Sequence, residues 1–161
     1  MLTSLLIGAA LAGPGEWREP WSEKGGNPPS VTLSVAPLRL IDRPVLEGNA
    51  EFRLSPTRSF GIMGARPIAG ATGPSEVGLQ IREYVAGDFG SGLAFGAAAN
   101  FTNPQIFQFR ADRYSITPFL AAKVTLALFT IEARGGPELY IDNQQGFGIG
   151  PRLDLGAGIS F

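Results

Sequence analysis

Arg152-Leu-Asp-Leu-Gly-Ala-Gly-Ile-Ser-Phe161 decides the fold of this chain. Apolar Leu153, Leu155, Ala157, Ile159 and Phe161 alternate with polar or tiny Arg152, Asp154, Gly156, Gly158 and Ser160. A strict period of two marks a strand whose two faces meet different surroundings. The row finishes on an aromatic rather than a polar tail. Free ends usually fray and gain little from a flush Phe, so this strand reads as one that closes a sheet.

Working back from it, the same alternation recurs. The earlier runs cover about 31–41, 46–54, 58–68, 76–85, 90–102, 113–123 and 126–141, and the closing run covers 148–161. Ala50, Phe52 and Leu54 oppose Asn49, Glu51 and Arg53. Val77, Leu79 and Ile81 oppose Gly78, Gln80 and Arg82. Leu93, Phe95 and Ala97 oppose Ala94, Gly96 and Ala98. Tyr114, Ile116 and Leu120 oppose Arg113, Ser115 and Thr117, and Phe129, Ile131 and Ala133 oppose Thr130, Glu132 and Arg134. The first run is less regular, because Pro37 disturbs its phase; a bulge or strand edge is expected there. The 22 Gly and 13 Pro punctuate the chain and argue against long helices.

The connectors alternate too. Short turns are expected at Ser55-Pro56-Thr57, around Gly87-Asp88 and near Lys123–Thr125. Longer ones are expected at Asp42–Val45, Ala69–Ser75, Asn103–Asp112 and Asp142–Phe147. One rim of short turns and one of longer loops, with an even strand number, is the layout of an outer-membrane barrel. The C-terminus falls on the short-turn rim.

Alternation alone does not say which face meets the solvent. A soluble lipocalin-like barrel alternates with its apolar side chains inside. A water-facing surface is normally crowded with Lys, Glu and Asp, yet only 17% of this chain is charged. Its polar face is mostly Gly, Ala, Ser, Thr and Asn, which suits the interior of a narrow barrel. The opposing Phe, Leu, Ile and Val suit lipid, and each run supplies the ~9–11 residues that a tilted spanning strand needs. The expected fold is therefore all-β, an eight-stranded antiparallel up-and-down transmembrane β-barrel over residues 31–161. The alternative is a soluble exported barrel that binds a small apolar ligand.

The run Leu5 to Ala12 is too short to span as a helix. It fits the apolar core of a secretory signal, with Ala10-Leu11-Ala12 matching the small-x-small cleavage pattern, although a basic start is missing. Residues 1–12 are thus expected to be a signal peptide, and 13–30 a Pro- and Gly-rich lead-in carrying Trp17 and Trp21.

With these features in hand, the chain resembles the small outer-membrane β-barrels of Gram-negative bacteria, such as the OmpA transmembrane domain and the OmpX-like proteins. The resemblance covers about 31–161 and rests on the signal-like start, the eight runs and the closing Leu153–Phe161 strand. It implies an outer-membrane location and a structural or interaction role in the envelope. It also implies two partners, outer-membrane lipid and the barrel-assembly machinery. In that family alternating apolar residues before a terminal Phe act as an assembly signal, a place taken here by Leu155, Ala157, Ile159 and Phe161. The loops are shorter than in many relatives, which weakens any transfer of adhesion or receptor roles.

Candidate chemistry lies on the inner face. Glu51, Arg53, Gln80, Arg82, Glu132, Arg134, Arg152 and Asp154 are expected to share the lumen. Charges there need partners, because an unpaired one is costly. They would form either a network gating a small pore or a salt-bridged plug, and the narrowness of eight strands favours the plug. Catalysis is not expected. The chain has no His and no Cys, which removes the commonest general base and thiol chemistry. Lys24 lies in the lead-in and Lys123 near a turn, so a Ser-Lys pair lacks a setting. Gly146-Phe-Gly-Ile-Gly150 lacks the strand-to-helix context of a nucleotide loop. The loop candidate Gln105–Arg110 could meet a partner or lie at headgroup level. No cofactor or metal is implied, and a net charge of -1 speaks against nucleic acid.

Overall fold

The computed structural model describes residues 29–36, 45–68, 74–104 and 111–161. The expected signal peptide, nearly all of the lead-in, the disturbance at Pro37, the 105–110 loop and most of two long connectors lie outside them.

Eight strands follow in chain order: β1 (Val31–Ala36), β2 (Val45–Ser55), β3 (Arg58–Pro67), β4 (Glu76–Gly87), β5 (Gly92–Thr102), β6 (Arg113–Leu126), β7 (Phe129–Asp142) and β8 (Gly146–Ser160). Each pairs antiparallel with the next, and β1 pairs with β8 through Thr32↔Ser160 and Leu33↔Ile159. The sheet is a closed up-and-down barrel. The terminal strand does close it. Phe161 extends the seam: its N–H donates to the Val31 carbonyl, and its own carbonyl accepts from Ser30 and Val31.

The two rims differ. Pro56-Thr57, Asp88–Ser91 and Ala127-Leu128 make the short turns at the rim that also holds both barrel termini. Two expectations need correction. The Asp142–Phe147 connector, expected to be long, is a three-residue turn, Asn143–Gln145, closed by Asp142↔Gly146 and shorter than Asp88–Ser91 on the other rim. The turn between the sixth and seventh strands lies at Ala127-Leu128, not near Lys123–Thr125. Ala127 supplies the left-handed backbone this tight turn requires (φ 57°). Lys123 and Thr125 are therefore strand residues, and their side chains point inward.

The two faces of the wall are sorted by polarity. Leu33, Ile81, Ile116, Leu120, Ile131 and Leu153 are exposed on the outside. Glu51, Gln80, Arg82, Lys123, Glu132 and Arg134 are buried inside. On the outer face, aromatics gather towards both ends. Phe52, Phe60 and Phe129 lie nearer the short-turn rim, and Phe101, Tyr114 and Phe147 nearer the other. Phe101 and Tyr114 meet edge to face at 5.8 Å.

Candidate functional site in the barrel lumen

The inward positions of seven strands build one polar column. Its lowest layer, at the short-turn rim, is made of hydroxyls. Thr32, Ser160, Thr130 and Thr125 form a chain of hydrogen bonds across four strands. Phe89, from the β4–β5 turn, folds into this end and is only 1% exposed. Its backbone N–H is held by the Pro56 carbonyl, and the Lys123 ammonium sits 3.9 Å from its ring centre. Tyr84 packs edge-on against it.

Above this plug, Glu51 is fully buried and gathers donors from three strands. It accepts from Lys123 Nζ (2.9 Å), Tyr84 Oη (2.8 Å) and the Ser59 hydroxyl, with Arg82 at 3.5 Å. Arg82 then reaches across the lumen and grips Glu132 with both ends of its guanidinium, at 2.6 and 2.8 Å. This fork-to-fork geometry is the strongest form such a pair takes. Arg82 also donates to the Gln80 side-chain oxygen, which accepts a second bond from Arg134 (3.2 and 2.8 Å). The Gln80 amide in turn donates to Asn49 (2.7 Å).

Arg134 carries the column upward, pairing with Glu47 and with Asp154 (2.9 Å). Arg152 shares both of those carboxylates at 3.2 and 3.1 Å. It also lies 3.7 Å from Glu138, which pairs with Arg113 at the long-loop rim (2.9 Å). Two groups of ion pairs, Lys123–Glu51–Arg82–Glu132 below and Glu47–Arg134–Asp154–Arg152 above, are thus bridged by Gln80.

Small residues make the room. A side chain on Gly61 would overlap the Gln80 amide, and one on Gly96 would overlap the Phe119 ring. Phe119 stands under Arg82 and Arg134, 5.6 and 5.9 Å from its ring centre. Cavities left beside Phe119 and beside Glu47 are about 10 Å³ each, room for one water at most. The larger hollow, about 370 Å³, lies at the mouth between Glu76, Asp112, Arg113, Glu138 and Arg152.

Of the expected lumen residues, Glu51, Gln80, Arg82, Glu132, Arg134, Arg152 and Asp154 are joined in this network. Arg53 is not. It lies on the inner face but only half-buried near the short-turn rim, and it makes no ion pair with the described residues. Sequence reasoning passed over Glu47, Tyr84, Phe89, Phe119 and Lys123. Glu47, Phe119 and Lys123 share the inward parity of their own strands and were legible by counting in twos; Phe89 lies in a turn and carried no such signal. Leu155, Ala157, Ile159 and Phe161 all face outward on β8 or just beyond it. Among the described residues no group of His, Cys, Asp and Glu is arranged to hold a metal ion. Comparison of the chain with protein-family models, curated proteins and solved structures finds no match.

Proposed function

We propose that this protein is a bacterial outer-membrane barrel, exported by its N-terminal signal, with a structural or interaction role in the envelope and a closed lumen. The observation that carries this reading is the sorting of the wall: charges inside, large apolar side chains outside. In water that arrangement exposes a continuous apolar belt far beyond what a soluble monomer tolerates. In a bilayer it buries the belt, and the closed ladder leaves no open sheet edge. Strands β2 to β8 have 10 to 15 residues, enough to cross the hydrocarbon at a tilt. The aromatics towards both rims suit the headgroup level. A lipocalin-like binder needs an apolar cavity, and the interior here is an ion-paired column.

The same column argues against conduction. Opening a water path would mean parting Arg82 from Glu132 and Arg134 from Glu47 and Asp154 with no compensating partners. The outward row Leu155, Ala157, Ile159 and Phe161 is the element we assign to the assembly machinery. No catalytic role is proposed.

Fractionation tests the reading. The protein should sediment with outer membranes and resist extraction by salt. It should also migrate faster on SDS gels when unboiled, because an intact barrel binds less detergent. Recovery in the aqueous fraction without detergent refutes it. Purified protein in planar bilayers should show no steady conductance; reproducible channels abolished by Arg82→Ala would overturn the closed lumen.

A further inference from the structure

Three prolines line up across neighbouring strands in the middle of the wall. Pro137 pairs with Pro151 in the β7–β8 register. Between β6 and β7, Ile116↔Leu139 and Leu120↔Gly135 bracket a gap in the ladder, and carrying the register through it sets Pro118 opposite Pro137. All three rings are exposed on the outer face. Leu126↔Phe129 flanks a two-residue turn and so exchanges hydrogen bonds; stepping by twos makes Pro118–Pro137 a position of the same kind. Neither residue has an N–H, so both bonds of that pair are lost. Proline is ordinarily confined to sheet edges, yet these two face each other inside a closed sheet.

The inner side of the same place is equally unusual. Gly136 packs so tightly on the Pro118 carbonyl that a Cβ would overlap it. The Thr117 hydroxyl is buried and has no hydrogen-bond partner among the described residues. Directly behind it, Met63, Ala98, Phe119 and Ala121 form an apolar cluster within an otherwise charged lumen. The small cavity beside Phe119 has Met63, Ala98, Thr117 and Gly136 on the side of the gap in the ladder, and Arg134, Arg152 and Asp154 on the side of the charged column.

We propose that the wall parts between β6 and β7 at Pro118–Pro137, forming a lateral port through which an alkyl chain from the surrounding lipid reaches the Met63–Ala98–Phe119 cluster. This rests on the membrane reading above. In hydrocarbon an unmet carbonyl is costly, so the wall is weakest where two carbonyls lack donors. The cluster behind that point is apolar but closely packed, with about 10 Å³ of free space, so an alkyl chain finds room against it only when the wall parts.

The chain has no cysteine, so single thiols can be placed without background. Thr117→Cys puts one at the port. Ala65→Cys puts one on the inner face of β3, where both neighbouring ladders are unbroken. Each protein is refolded into phosphatidylcholine vesicles and exposed to N-dodecylmaleimide dissolved in the lipid. Thr117→Cys should label faster by about tenfold, the scale set by two missing ladder bonds. Adding Pro118→Val and Pro137→Thr, which restore the donors, should bring it to the control rate; Pro137→Thr alone serves if the double change does not fold. Equal rates, or a Thr117→Cys rate that donor restoration leaves unchanged, overturn the port. Failure of the unmodified barrel to enter vesicles overturns the membrane reading first, so the two are told apart.

Discussion

Arg82 is the residue whose removal the lumen should feel most. Its guanidinium bonds both oxygens of Glu132 at 2.6 and 2.8 Å, donates to Gln80 and lies 3.5 Å from Glu51. Glu132 has no other ion-pair partner among the described residues, whereas Glu51 keeps Lys123 at 2.9 Å. Arg82→Met preserves bulk near Phe119 but leaves one carboxylate buried and uncompensated. Breaking a buried pair from one side costs about 3–5 kcal/mol. That is about two to three and a half decades in the unfolding constant. The doubly changed Arg82→Met, Glu132→Leu protein removes both charges, and such replacements are often neutral or stabilising. It should recover most of the loss, so the two changes should be strongly non-additive. Urea titration in vesicles is the assay, followed by far-UV circular dichroism and unboiled gel mobility. Two results would refute the reasoning: Arg82→Met unfolding within about 0.5 kcal/mol of the parent, the range of ordinary surface changes, or the double variant proving weaker than the single one.

Three further outcomes are expected. Leu120 is 72% exposed on the outer face near mid-wall, so Leu120→Arg should lower folded stability in vesicles by about 2–4 kcal/mol; an unchanged urea midpoint would place that surface in water. Phe89→Ala should cost about 3–5 kcal/mol, the range for emptying a buried aromatic site, and a loss under about 1 kcal/mol in the same titration would mean that Phe89 does not plug the short-turn end. Deleting Phe161 removes three backbone hydrogen bonds at the β1–β8 seam; it should depress insertion in cells more than refolding yield in vesicles, and normal cellular insertion would strip the residue of an assembly role.

The strands were legible because their cause is local. Alternation is a property of each run, and the expected limits of β2 to β8 fall within about three residues of those found. In the sixth strand Thr117, Phe119, Ala121, Lys123 and Thr125 share one parity, but that face mixes hydroxyl, aromatic, small and charged side chains, so alternation of polarity fades towards its end and leaves the boundary at Leu126 unmarked. Partners were less legible than faces. Arg82 on β4 grips Glu132 on β7, and Arg134 on β7 meets Glu47 on β2. Which inward residues share a height depends on the stagger accumulated around the closed sheet. No single strand encodes that stagger. Phe89 was invisible for a different reason: a turn residue has no period to place it.

The charged column also has a job that stability alone does not explain. Replacing buried pairs by apolar side chains is often harmless to stability. In this barrel, however, apolar residues inside would make the two faces of every strand alike. A strand slipping by one residue exchanges its faces completely. With Glu51, Arg82, Lys123, Glu132 and Arg134 inside, such a slip in β2, β4, β6 or β7 would carry a charge into the outer apolar belt and strand its partner in the lumen. The cost would fall twice, once on each side of the wall. The paired charges thus act on register: they penalise the misaligned barrels that the small, smooth Gly- and Ala-rich inner face of β5 would otherwise tolerate. The proline gap between β6 and β7 is affordable in this light, because Lys123↔Glu132 and Ala121↔Arg134 on one side and Arg113↔Asp142 on the other still hold the two strands in step.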